Sequence, residues 1–407
     1  MPISAQAQSK IESALDNVTS TGSIPGLVFV SVDRNGDLIA SHCSGKVGKG
    51  KPTPMSLDTV FWIASCTKMI TGIACMQMVE QGKIGLDDAN SLYRIIPELK
   101  DKKVLQPDGS LVEKKRDITL RMLLSHTAGF GYPLSNSMLR DWSRPAGFDE
   151  LEVDARQLRE MPLVNQPGER WEYGINIDLA GMVVEELSGM SLDDYFRKYI
   201  FEPLGLKSMS FFPTEEMLQN LAYMHQKLPD GTLWEVDHLF RRSLRAKTPE
   251  ERSKITISGG GGCFAKPIEY CQILATLMNN GISPTTGNRI LDSGTVDIMF
   301  TDNIPGLPFT VPTAAKPHMM SPVVEAMLPQ EDKTRGWGLT FMLSNVDGKA
   351  ETRQGRNTGS WSGLPNLYYW VDREKGIAGM IASQCLPMGE MEVLMALDQC
   401  EAAVYSG

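Results

Sequence analysis

Val60-Phe61-Trp62-Ile63-Ala64-Ser65-Cys66-Thr67-Lys68 opens the stretch that decides the fold, and Met69-Ile70-Thr71-Gly72-Ile73-Ala74-Cys75-Met76-Gln77-Met78-Val79 continues it. The apolar run 60–64 ends at Ser65, and apolar residues dominate 69–79, which predicts a largely buried helix. Ser65 and Lys68, three apart on a helix, lie on one face, one above the other. Ser65 falls in the first turn, where backbone N–H groups are unpaired and the dipole favours a developing anion. A lysine at that spacing can take the hydroxyl proton if desolvation or another cation neutralises its ammonium. Alone, the tetrapeptide also fits a plain helix start carrying a solvated lysine.

Two more segments carry chemistry. Trp171-Glu172-Tyr173-Gly174 follows Gln166-Pro167-Gly168-Glu169 and leads into the apolar run Asn176-Ile177-Asp178-Leu179-Ala180. A tyrosine in a loop entering a helix can project its phenol into a cleft and, beside an ammonium, accept and return a proton. It can equally be packed by its ring with its hydroxyl satisfied. Asn357-Thr358-Gly359-Ser360-Trp361-Ser362-Gly363-Leu364 precedes a strand. Its glycines let backbone approach a ligand closely, and an edge-strand N–H is a natural second oxyanion donor beside that of the nucleophile. Read alone, it is a Gly-rich turn before a strand.

Together these motifs stand in the order, and near the separations, of the serine β-lactamase and penicillin-binding-protein family. The chain most resembles the class C-like branch, which includes family VIII carboxylesterases and the fungal lovastatin acyltransferase group. Leu123-Leu124-Ser125-His126-Thr127-Ala128-Gly129, Glu202-Pro203-Leu204-Gly205-Leu206 and Ser258-Gly259-Gly260-Gly261-Gly262 support the resemblance, which covers roughly residues 20–400. It implies the β-lactamase/transpeptidase-like α+β fold and a catalytic set of Ser65, Lys68 and Tyr173. It further implies an oxyanion hole from the N–H groups of Ser65 and Leu364, with Trp361, Ser362, Gly363 and Asn176 binding substrate. His126 is structural in that family, and Cys66 reads as a small buried residue.

Two departures bear on the reaction. β-Lactamases and peptidases of the family usually have Tyr-x-Asn, but here Asn176 is third after Tyr173. They also carry Lys-Thr-Gly where this chain has Trp361-Ser362-Gly363. The missing lysine removes a cation suited to a lactam or peptide carboxylate. The expectation is therefore serine acyl transfer from an ester or thioester donor, free or carrier-bound, to water or to a small-molecule alcohol. The alternatives are a β-lactamase or D,D-peptidase, and a non-catalytic binding module of the same fold.

Composition bounds this reading. The 407 residues allow a large core, and a formal net charge of -9 argues against nucleic acid or anionic membrane as partner. No apolar run is long enough to span a bilayer, and residues 1–20 lack an apolar core segment, so the expected location is cytoplasmic. Seven cysteines without a CxxC pair suit a reducing compartment. Five scattered histidines give no zinc spacing, so no metal and no cofactor are expected. The 23 methionines either line an adaptable acyl cleft or fill the core.

Along the chain, 8–19 reads as an amphipathic helix, and 27–32 and 38–40 as strands about the turn 34–37. Residues 100–118 read as a charged excursion, and 118–125, 177–188, 191–200 and 267–280 as helices. Gly336–Leu343 reads as a strand reaching a hairpin turn at Asp347-Gly348. Strands at 367–371 and 377–382 and a helix at 390–404 follow. One catalytic domain over 1–407 is expected, with a sheet lobe from about 1–60 and 331–407 and a helical lobe from about 61–330.

Overall fold

Period-two alternation places the core on both faces of one sheet. Along the strand Gly26–Asp33, Val28, Val30 and Val32 point to one face while Leu27 and Phe29 point to the other. Along Leu367–Asp372, Tyr369 and Val371 share the first face, and Tyr368 and Trp370 the second. Both strands are buried on both faces, so helices must cover each side. The structure is a computed structural model that describes residues 3–149, 151, 154–313, 315–327, 334–346 and 354–407.

The sheet has seven antiparallel strands, in the order 335–337, 342–344, 359–363, 367–372, 377–382, 26–33 and 38–45. It is thus built from both ends of the chain. The terminal helices Ala5–Ser20 and Met391–Ser406 cover one face with Ile11, Leu15, Val393 and Val404. The first is capped by Ser4, whose hydroxyl accepts the Ala7 N–H. On the other face lies Pro267–Met278, with Pro267 in its first turn. The helix Thr67–Glu80 packs in the same core against Asn176–Ser188.

The structure corrects three expectations. Gly336–Leu343 is not one strand but two, Arg335–Trp337 and Met342–Ser344, paired antiparallel about residues 338–341. The chain reverses there because the Gly338 N–H donates to Phe341 O and Thr340 adopts φ +83°. A Cβ at Gly338 would also lie 2.3 Å from Met299 O, so the backbone passes too close for any side chain. The hairpin turn expected at Asp347-Gly348 lies outside the described residues. The 100–118 excursion contains a small hairpin, Lys103–Leu105 with Leu111–Glu113. Its Asp108 carboxylate accepts the Ser110 N–H at 2.9 Å and hydroxyl at 2.6 Å. The helix expected over 191–200 is α-helical only across Leu192–Phe196 and continues as a wider π turn, Arg197–Phe201.

The strand Gly359–Gly363 matters most for the site. Gly359 and Ser360 are paired on both sides, but Trp361, Ser362 and Gly363 pair only with the 367–372 side. The second half of this strand is therefore a free edge, and it runs directly against the turn that carries Ser65.

Candidate active site

Ser65 lies in a tight helical turn, Ala64–Cys66, between the short strand Phe61–Trp62 and the helix Thr67–Glu80. The regular helix thus begins two residues after Ser65. Ala64 takes φ +45°, a conformation that residues with a Cβ rarely adopt. Thr67 pins the bend: its hydroxyl donates to Ala64 O at 2.7 Å and accepts the Cys263 N–H at 3.1 Å. Gly363 closes in from the edge strand, where a Cβ would sit 2.6 Å from Ile63 O. Only glycine lets the strand come so close to the serine turn.

Lys68 is fully buried. Its ammonium donates to Ser65 Oγ at 3.1 Å, to Gly260 O at 2.6 Å and to Tyr132 Oη at 3.4 Å. All three of its donor directions are therefore used. Tyr173 comes to the same place differently. Lys68 Nζ lies 4.6 Å from the centroid of its ring, while its hydroxyl accepts the indole N–H of Trp361 at 3.1 Å. The structure thus brings Ser65, Lys68, Tyr173 and Trp361 together, with the phenol oxygen held by Trp361.

His126 buttresses this group from behind. It adopts φ +55° and is fully buried, its ring 4.8 Å from that of Tyr173. Its carbonyl accepts the Glu172 N–H at 2.9 Å, and its Nδ1 faces the Gly174 N–H at 3.4 Å and the Asn176 amide at 3.0 Å. Those bonds bracket Tyr173 on both sides. Burial, and then the nearby Lys68 ammonium, hold the imidazole well below its usual range, so it stays neutral. Nδ1 must then be the acceptor, which places the proton on Nε2. Cys66 is fully buried, and desolvation pushes its thiol up, so it is no rival nucleophile.

Sequence reasoning missed two groups. Tyr132 donates to Asp178 Oδ2 at 3.2 Å, and Asp178 Oδ1 accepts Ser258 Oγ at 2.6 Å and the Gly260 N–H at 3.0 Å. The available signal was Asp178 itself, a lone acid within an apolar helix start. Asn176, expected to bind substrate, is fully buried, with its amide on His126 and Phe130 O; it does not line the cavity.

Ser65, Tyr173, Trp361, Ser362 and Leu364 line one cavity; Gly363, also expected to bind substrate, is not among its lining residues. Its apolar surface comes from Trp62, Phe240, Leu151, Val324, Met320 and Met388. Most described methionines, Met69, Met76, Met78 and Met380 among them, fill the core instead. The cavity measures ≈ 80 Å³, room for roughly five to eight waters. Among the described residues no Lys, Arg or His lines it; the acid there is Glu172, which burial pushes above the usual carboxylate range. No group of three or more metal-ligating side chains occurs among the described residues.

The Beta-lactamase family model matches residues 9–399. The chain belongs to the beta-lactamase family. Within it, the chain is 28% identical to ML-236A carboxylate methylbutanoyltransferase mlcH of Penicillium citrinum, covering 98% of this chain and 94% of that protein. It is 31% identical to lovastatin esterase of Penicillium rubens, covering 93% of each. Unliganded simvastatin synthase, LovD, of Aspergillus terreus superposes with a TM-score of 0.82 at 27% identity over 99% of both chains. This member of the beta-lactamase family is a serine acyltransferase or esterase.

Proposed function

We propose that this chain moves a short, uncharged acyl group from an ester or thioester onto Ser65 and then to an alcohol or water. Ser65 Oγ attacks the carbonyl carbon while Lys68, as the free amine, accepts the hydroxyl proton. The carbonyl π pair moves onto oxygen, to which the N–H groups of Ser65 and Leu364 donate hydrogen bonds. Collapse of this intermediate re-forms the carbonyl and expels the donor's alcohol or thiol. Tyr173 and Lys68 return the proton to that leaving group. The same groups run in reverse when water or an acceptor alcohol attacks the acyl-serine.

The observation that carries this reading is the 3.1 Å contact from Lys68 Nζ to Ser65 Oγ at the wall of an apolar cavity. The lack of a cationic wall residue among the described ones favours esters over peptide or lactam substrates. Relatives named as methylbutanoyltransferases point to a branched short acyl group and a bulky alcohol acceptor, which would dock at the cavity mouth. The free, mostly buried cysteines fit a cytoplasmic setting. The chain works as one catalytic unit, with a sheet part from about 1–60 and 331–407 and a helical part from about 61–330.

Intact-mass measurement after mixing with p-nitrophenyl butanoate tests the assignment. The wild type should gain one butanoyl group and Ser65→Ala none. An adduct of equal yield on the Ala variant would overturn it. Adding a polycyclic alcohol to the isolated acyl-enzyme separates the outcomes. Faster decay with formation of the new ester marks a transesterase, and an unchanged rate with only free acid marks an esterase.

A further inference from the structure

Lys68 and Asp178 are both buried, and among the described residues neither forms an ion pair. A buried charge without a partner is costly. Two short bridges join them instead. One is the Tyr132 hydroxyl, which donates to Asp178 Oδ2 at 3.2 Å and receives Lys68 Nζ at 3.4 Å. The other is the Gly260 residue: its N–H donates to Asp178 Oδ1 at 3.0 Å, and its carbonyl receives Lys68 Nζ at 2.6 Å. Ser258 fastens the same carboxylate at 2.6 Å. The two groups besides Ser65 that hold the Lys68 ammonium are therefore held in turn by Asp178.

We infer that Asp178 is the positioning residue for Lys68, aiming its amine at Ser65 through Tyr132 and Gly260 and balancing its charge across those bridges. This rests on the acyl-transfer reading above. Asp178 touches no reacting atom, so its effect must pass through the lysine. Its carboxylate places a negative charge two hydrogen bonds from the Lys68 ammonium, through the Tyr132 hydroxyl. The remaining groups around Lys68 do not supply that charge. Ser65 is neutral, and Cys66 is a buried thiol. His126 is a neutral imidazole, and Tyr173 presents its ring.

The test is the pH dependence of kcat/KM with p-nitrophenyl butanoate for the wild type, Asp178→Asn and Tyr132→Phe. Asn keeps the shape of Asp and removes its charge. Removing that charge should move the acid limb to lower pH. The plateau should also fall, about tenfold or more, as Lys68 loses its aim. Tyr132→Phe cuts one bridge and should move the limb the same way by less. It decides the matter if the Asn variant does not fold. Limbs that stay at the wild-type pH in the folded variants, however low the plateau, would leave Asp178 a purely structural group. Intact-mass labelling reports separately on the parent reading: an adduct on Ser65→Ala would sink the nucleophile assignment, whatever the limbs do.

Discussion

Tyr173 offers Lys68 its ring face, and Trp361 holds its hydroxyl at 3.1 Å. An indole N–H can only donate, so the Tyr173 oxygen is held as an acceptor, the state a proton shuttle needs on the uptake step. Trp361 is itself fixed edge-on to Trp337, with centroids 4.7 Å apart. Trp361→Phe keeps that packing and deletes one neutral hydrogen bond, worth about 1 kcal/mol. The expected result is a kcat reduced about fivefold with KM little changed. A change confined to KM would make Trp361 a binding residue only. Lys68 and Tyr173 also invite a cycle, because groups that serve one proton path are non-additive. Lys68→Ala, Tyr173→Phe and the double variant should lose similar activity. Losses that multiply in the double variant would show two independent roles.

The serine turn and the edge strand depend on each other's backbone. Ala64 at φ +45° bends the chain into the helix, and Gly363 lets the strand lie against that bend. Gly363→Ala puts a Cβ 2.6 Å from Ile63 O, which is backbone and cannot rotate away. The expected cost is about 1–3 kcal/mol of stability, read as a lower urea midpoint, with acylation lost beyond detection. A variant with wild-type midpoint and activity would show that the contact has slack. The same elements show what the sequence could disclose. Ser65 and Lys68 were legible because a three-residue spacing fixes their common face. Alternating apolar residues likewise marked 27–32 and 367–371. The break at Gly338 was hidden because Thr340, a residue that rarely takes a positive φ, turns the chain there at φ +83°, and the backbone that demands a glycine, Met299 O, lies far along the chain. Tyr132 and Asp178 meet Lys68 only through tertiary folding, so no local spacing announced them. The 103–113 hairpin did carry a local sign, Asp108-Gly109, with Gly109 at φ +83°.

Across the whole molecule, buried titratable groups of opposite kinds set the pH range of stability. His238 is held down to about 4 by burial, and His126 is also depressed. Groups depressed in the fold contribute stability that is complete above the unfolded value near 6.5 and is lost as pH falls. Glu401 works in the other direction: burial, opposed by the Gln354 amide at 2.9 Å, pushes its carboxyl up to about 8. A carboxyl raised in the fold binds a proton there that the unfolded chain has released. Its contribution is therefore complete below about 4.5 and declines as pH rises to about 8. Glu185, pushed up to about 6, declines in the same sense over a narrower range. Between about 4.5 and 6.5 the two kinds oppose each other, and below that the histidines dominate. Above 6.5 the histidines are neutral in both states and Glu401 dominates, opposed near the top of the interval by Lys102, whose ammonium burial lowers to about 8. The wild type should lose on the order of 1 kcal/mol between pH 6.5 and 8, because the Glu401 slope flattens as pH nears 8 and Lys102 offsets part of it. Glu401→Gln has no proton to lose and keeps a donor-acceptor pair with Gln354. Its urea midpoint should stay level across that interval while the wild-type midpoint drops. Curves that fall in parallel would assign the alkaline decline to some other group.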